Sequence, residues 1–281
     1  MINIIGLGDT GIKIAEEFAK SDNYEVYKIG HGLSKTKRTR EIKKEKNPEN
    51  YEKNCPPMKH FFKDLEGRSI FIVNGGEPVS LATLRILEHC RPWATTVVYL
   101  QPDTTTLSDV GNKIEKVVFN VLQEYARSGA ISKLVLFNKK KIEEAMGEVP
   151  IIGYDEMFHQ YIFSSLNLIN YFEHQSPVLS VDSEGVEYSR IMSISVSSLD
   201  GQEKPLFDLK NVREKVFYCG INENDLRNDN KLLTKIKDMV DSSREGDQRT
   251  SYRVYSTTYE EPHIFCVKSS AFIQDPTFQE E

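Results

Sequence analysis

The four cysteines, Cys55, Cys90, Cys219 and Cys266, are widely scattered and show no paired metal-ligand spacing. That absence argues against both a disulfide framework and a zinc site, and it fits a reducing compartment. No apolar run approaches the roughly 20 residues a membrane span needs. The start of the chain lacks the basic, then apolar, then small-residue layout of a signal peptide, so a cytoplasmic protein is expected. No Gly-x-Ser-x-Gly elbow is present, and His31, His60, His89, His159, His174 and His263 stand alone, which argues against a nucleophilic hydrolase. Excess positive charge is missing too: the formal net charge is -6, against nucleic-acid binding by the surface as a whole. There is no internal repeat.

What is present suffices for a large core: 281 residues, 39% of them hydrophobic. The first half alternates short β-branched runs at 2–5, 24–29, 69–73, 95–100 and 133–137 with amphipathic stretches. That is the pattern of a parallel sheet covered by helices. Helical spacing is seen at 11–20, at 80–90, and in a long stretch from Leu107 to Tyr125 whose apolar positions recur at three and four.

From 154 to 175 one helical pattern carries Phe158, Tyr161, Ile162, Leu166, Ile169 and Phe172 on a single stripe, and Pro177 stops it. At 1.5 Å per residue it spans about 30 Å, the length of a domain. Residues 190–197 then alternate, with Met192, Ile194 and Val196 on one face and Ser193, Ser195 and Ser197 on the other, which predicts a half-buried strand. A strand at 215–219, a helix at 224–240 and strands at 252–258 and 263–268 complete a small α+β region. The expected organisation is therefore a Rossmann-like α/β domain over 1–153, a central helix over 154–176, a smaller α+β domain over 177–273 and a polar tail over 274–281.

Three loops could carry chemistry. Gly6-Leu7-Gly8-Asp9-Thr10-Gly11 lies between the first strand and a helix, where glycines allow close backbone approach and free N–H groups at a helix start favour phosphate. A turn that merely needs glycine is the alternative. Asn74-Gly75-Gly76-Glu77-Pro78 occupies the place of a second phosphate loop, although the carboxylate of Glu77 repels phosphate unless a cation intervenes. The fifth strand ends in Asn138, where a polar strand-closing residue is also unremarkable.

The segment 35–46, KTKRTREIKKEK, is a basic block. It reads as a solvated loop or as a contact surface for nucleic acid or an acidic partner.

This order of parts resembles tubulin and FtsZ, in the stretches IIGLGDTGIKIAEEF, SIFIVNGGEPVSLATLRIL, TTVVYLQPD, SKLVLFNKKKIEE and YDEMFHQYIF leading into SPVLSVDSEGVEYSRIMS. The similarity is to a diverged member of phage or plasmid type. It implies a filament or other self-assembly in the cytoplasm, a host's cytoplasm if the protein is viral. It also implies GTP or GDP with Mg2+ as cofactors, and no membrane. Carried over residue by residue, it assigns Gly6, Gly8, Asp9, Thr10, Gly11, Gly75, Gly76, Asn138 and Phe158 to the nucleotide. Asp182 and Glu184 become carboxylates acting across a subunit contact, as at a γ-phosphate awaiting water.

The sequence also departs from that pattern. The second glycine loop is about three residues shorter, Lys13 and Ile162 stand where the family has asparagines, and one carboxylate of the Asn-x-Asp-x-x-Asp pattern is vacant beside Glu184. These losses predict weak GTP hydrolysis at most. Two alternatives remain: a non-enzymatic structural or interaction module on the same scaffold, and an NAD(P)-dependent oxidoreductase resting on the first glycine loop, with Lys28 or His31 placed for a 2′-phosphate.

Overall fold

A computed structural model describes residues 1–90, 94–182 and 188–275. Its parallel half consists of strands β1 (Ile2–Leu7), β2 (Tyr24–Gly30), β3 (Thr39–Glu41), β4 (Ser69–Asn74), β5 (Thr95–Gln101) and β6 (Lys133–Asn138). Helices α1 (Gly8–Phe18), α2 (Asn50–Lys53), α3 (Thr83–Leu87), α4 (Asp109–Ser128), α5 (Lys139–Met146) and α6 (Tyr154–Glu173) surround it. The second half contains β7 (Leu179–Val181), β8 (Ile191–Ser197), β9 (Glu203–Pro205), β10 (Glu214–Asn222), α7 (Glu223–Asn228), α8 (Leu232–Ser242), β11 (Arg249–Thr257) and β12 (His263–Ser270).

The period-2 geometry of the strands divides their side chains between two layers. Ile5, Leu7, Phe71, Val73, Val97, Leu134 and Leu136 meet the side of α3 and α4. The intervening Ile4, Ile72, Val98, Val135 and Phe137 meet α1 and α6. Both faces are covered, so the strands are apolar throughout, as expected for parallel sheets.

Among the described residues the strands form one sheet in the order β3-β2-β1-β4-β5-β6-β8-β12-β10-β11-β7, with β9 beside β8. The two halves expected as separate domains share this sheet. The seam is a parallel pairing of Leu134, Val135 and Leu136 with Ile191, Met192 and Ser193. Helix α6 packs against both sides of the seam: Ile162 and Leu166 lie in the same core as Val135, and the Phe172 ring stacks on Tyr255 at 4.7 Å. Gly220 permits that approach, since a Cβ there would lie 2.7 Å from the Phe172 ring.

Several local expectations are corrected. The single helix expected at 80–90 is a 3-10 turn, Pro78–Ala82, followed by the short α3. The helix expected at 224–240 is broken between α7 and α8, where the Asp229 carboxylate accepts the Lys231 backbone N–H at 2.8 Å and restarts the chain. The serine face of β8 is not solvated: Ser193 and Ser195 are fully buried, because they continue the face on which Ile191 enters the core shared with Leu134, Phe119 and Phe207. The polar tail is anchored at its start, where the buried Gln274 receives a 2.7 Å hydrogen bond from Lys210 and donates its own N–H to Gln123 at 2.6 Å. Residues 276–281 lie outside the described residues.

Candidate functional site

The carboxyl ends of β1, β4, β5 and β6 bring the sequence-predicted residues to one edge of the sheet, the place where open α/β sheets bind ligands. Helix α1 starts directly from β1. Its N-cap, Leu7, offers no side-chain hydrogen bond to the free amides of the first turn. Those amides are filled from elsewhere: Glu77, in the loop after β4, accepts the Asp9 N–H at 2.8 Å through Oε2 and the Thr10 N–H at 2.9 Å through Oε1. The carboxylate thus lies on the positive end of the helix, an arrangement stabilising by about 0.3–1 kcal/mol at exposed sites and up to about 2 kcal/mol when partly buried.

Each glycine in the two loops has a steric reason within the chain. Gly8 has φ +77°, and a Cβ there would lie 2.0 Å from Glu77 Oε2. A Cβ at Gly11 would lie 2.6 Å from the Ile72 carbonyl oxygen, and one at Gly6 would lie 2.4 Å from the Gly11 carbonyl oxygen. Gly75 faces the Tyr99 hydroxyl, 1.9 Å from where a Cβ would sit, and Gly76 lies against Pro102. Asn74 ties the loops together: its side-chain amide donates to the Thr10 hydroxyl at 3.1 Å, and its oxygen accepts the Gly76 N–H at 3.1 Å.

Asn138 is buried and engaged at both ends. Its oxygen accepts the Lys141 N–H and caps α5, and its amide donates to Gln101 at 2.9 Å. Gln101 and Tyr99 in turn donate to the buried Glu115 carboxylate, both at 3.2 Å. Burial, reinforced by that carboxylate, pushes the Tyr99 phenol well above its ordinary value. Phe158, assigned by resemblance to a nucleotide base, is a core residue with 4% exposure, stacked on Tyr154.

At the far end of α6, Asp182 accepts a 2.8 Å hydrogen bond from Arg253 Nε. The Asp182 bridge lies beside β7, which is laid along β11 through the pairs Val181 with Tyr252, Ser180 with Arg253 and Leu179 with Val254. Glu184 lies outside the described residues. Asp182 thus lies beyond the C-terminal end of α6, a helix of 20 residues and about 30 Å, with Arg253 as its partner.

The residues considered for a dinucleotide are also occupied. Lys28 pairs with Glu16 at 2.5 Å, and His31 bonds the Ile42 carbonyl at 2.7 Å and the Tyr51 hydroxyl at 3.2 Å. Among the described residues no group of three or more His, Cys, Asp or Glu side chains could hold a metal ion, and no helix is long and apolar enough to cross a membrane.

No protein-family model and no curated protein matches the sequence. Solved structures do. An FtsZ dimer of M. jannaschii superposes with a TM-score of 0.69 at 11% identity, over 96% of this chain and 88% of that one. TubZ of Bacillus thuringiensis serovar israelensis, in a GTPγS-form protofilament, gives 0.68 at 12% identity, over 100% and 89%. A two-stranded TubZ-Bt filament gives 0.67 at 11%, over 99% and 86%. The chain has the tubulin/FtsZ fold.

Within the tubulin/FtsZ fold, the amides that the resemblance assigns to phosphate hold the chain's own Glu77. The residues as placed do not fit a bound triphosphate: the helix start is filled, the space over Gly75 is taken by a phenol, and both ends of Asn138 are used. A phosphate brought beside Glu77 would meet a like charge at a cost of about 4 kcal/mol at 4 Å in a surface-like medium. Sequence reasoning found the loop and noted the awkward Glu77, but not its partner. The residues it missed are Tyr99 and Arg253, neither of which carries a motif.

Proposed function

We propose that this chain is a structural protein of the tubulin/FtsZ fold that self-associates head to tail and does so without GTP. The observation that carries this reading is the Glu77 carboxylate on the Asp9 and Thr10 amides, an internal anion where the fold's nucleotide phosphates would be held.

Self-association is supported by the fold and by the ends of α6. Before its first turn, Ile151 and Ile152 are 95% and 92% exposed. Beyond its last turn, Val178, Leu179 and Val181 are exposed as well. Two different apolar patches at opposite ends of one rod suit a heterologous contact, which propagates into an open filament rather than closing into a dimer. The solved relatives include protofilaments and filaments of TubZ.

Asp182 adds to the nucleotide-independent reading. As an acid offered to a neighbour it would need to be free, yet its bond to Arg253 gives it a partner of its own.

Sedimentation and light scattering with and without GTP and magnesium, alongside phosphate release, test the proposal. The expected result is assembly at the same protein concentration in every condition and no phosphate release. Assembly that requires GTP, or hydrolysis that rises with protein concentration, would sink it.

A further inference from the structure

The basic block of the sequence is folded into one wall of a cleft. Its turn is locked by the Thr36 N–H donating to the Thr39 hydroxyl at 2.8 Å and the Arg38 N–H donating to the Thr36 hydroxyl at 3.1 Å. Strand β3 then adds to the edge of β2, with Lys28 N donating to the Arg38 carbonyl at 2.8 Å. The opposite wall is the segment 57–64, and Arg40 ties the walls together by donating to the Pro57 carbonyl at 3.3 Å.

The cleft measures about 730 Å³ and is lined by Lys35, Lys37, Arg40, Lys63, His60 and Phe61. Glu41 and Asp64 oppose them, so four permanent cations face two carboxylates on a protein whose net charge is -6. Lys35 and Lys37 have no ion-pair partner among the described residues. Lys63 reaches only its exposed neighbour Asp64, at 3.8 Å, a contact that contributes little. The Arg40 Nε is buried without a hydrogen-bond partner, which leaves a guanidinium donor unsatisfied at the junction of the two walls. Phe61 is half-buried and fixed edge-on against Tyr27 at 5.7 Å and tilted on Phe62 at 4.9 Å.

From this arrangement we propose that the cleft binds single-stranded nucleic acid. Flexible lysines around a concave wall answer the regularly spaced negative charges of a phosphate backbone, and a held aromatic ring between them offers a face on which an unpaired base stacks. A duplex has no free base face to offer, and an acidic peptide leaves the ring unused. The acidic remainder of the molecule repels a polyanion and so directs it to this edge of the sheet. The site lies across β2 from the α1 loop, on the outer edge of the sheet, and does not depend on whether the chain assembles.

Fluorescence anisotropy with a labelled oligothymidylate at about 50 mM salt reads the binding. With four phosphate contacts, log affinity falls against log salt with a slope of about -3. The combined variant Lys35→Ala, Lys37→Ala, Lys63→Ala is expected to lose at least about tenfold in affinity and to flatten the slope to about -1. The control Lys43→Ala, Lys44→Ala, Lys46→Ala removes the same charge outside the cleft and is expected to leave the affinity within about twofold.

Unlabelled duplex, inorganic triphosphate and polyglutamate serve as competitors, and the single strand is expected to outcompete all three. Absence of binding at low salt overturns the proposal, as does an equal loss in both triple variants. Competition by polyglutamate or duplex as strong as by the single strand also overturns it, pointing to an acidic protein or to unspecific charge. Competition by triphosphate alone overturns it in favour of a free phosphate ligand.

Discussion

The Glu77 carboxylate and the backbone nitrogen of Thr10 are 2.9 Å apart across 67 residues of sequence, and together they close the start of α1. A helix whose own N-cap is a leucine is capped by a loop from the neighbouring strand. The two glycine loops therefore hold each other.

Replacing Glu77 by alanine is expected to lower stability by about 1–2 kcal/mol, as for loss of a charged cap. Gly8→Ala is expected to cost more, since its Cβ would fall 2.0 Å from Glu77 Oε2 at a φ of +77°. Because part of that cost is the clash with Glu77, the double variant should be more stable than the sum of the two by about 1 kcal/mol. Urea unfolding of the four proteins measures the cycle, and strict additivity would show that the carboxylate does not sit over Gly8.

Head-to-tail association predicts an asymmetric result. A variant with Ile151→Lys and Ile152→Lys, and another with Val178→Lys and Val181→Lys, should each fail to sediment as polymer. Mixed together, they should form a dimer that stops there, because each supplies the one intact end the other lacks. Analytical ultracentrifugation reads this, and polymer in the mixture would contradict it.

His159 makes stability depend on pH. Burial, aided by Lys13 and opposed by Asp155 and Glu17, holds its imidazole below the ordinary value of 6.5. The unfolded chain then binds a proton that the folded chain resists. Stability is expected to be complete above 6.5 and to fall as the pH drops from 6.5 toward the lowered value. His159→Gln should flatten this part of the profile, as read by urea unfolding at closely spaced pH values.

The thiols should be inert in the folded protein. Burial pushes Cys55 up to about 11, Cys90 and Cys219 to about 12, and Cys266 higher still. At a pH three units below its value, even Cys55 is only about 0.1% thiolate, so Ellman's reagent is expected to react slowly until denaturant is added. Rapid native labelling of one thiol would identify a site more open than described.

Much of the architecture could be read from the amino-acid order, because strand and helix periods are local. The first loop, the long stripe of α4 and the rod of α6 announce themselves over a few residues each, and α6 ends within three residues of its expected end. What escaped reading depends on tertiary neighbours. Alternation in β8 implied a wet serine face, yet Ser193 and Ser195 continue the face on which Ile191 enters the core shared with Leu134, Phe119 and Phe207. The break between α7 and α8 lay in the run Asn228-Asp229-Asn230, whose turn chemistry was outweighed by the flanking helical spacing. The occupancy of the first loop needed Glu77 to be brought across from another strand, and Arg253 meets Asp182 only because β7 lies along β11. No pattern in sequence encodes either meeting.

The β6–β8 seam bears on how the molecule answers force. Twisting one half against the other would have to sever backbone bonds between Leu134–Leu136 and Ile191–Ser193 and pull Phe172 off Tyr255. In the proposed assembly each copy therefore acts as one stiff plank, and any curvature in a string of them would be set at the joints between planks, where surface chemistry alone can tune it.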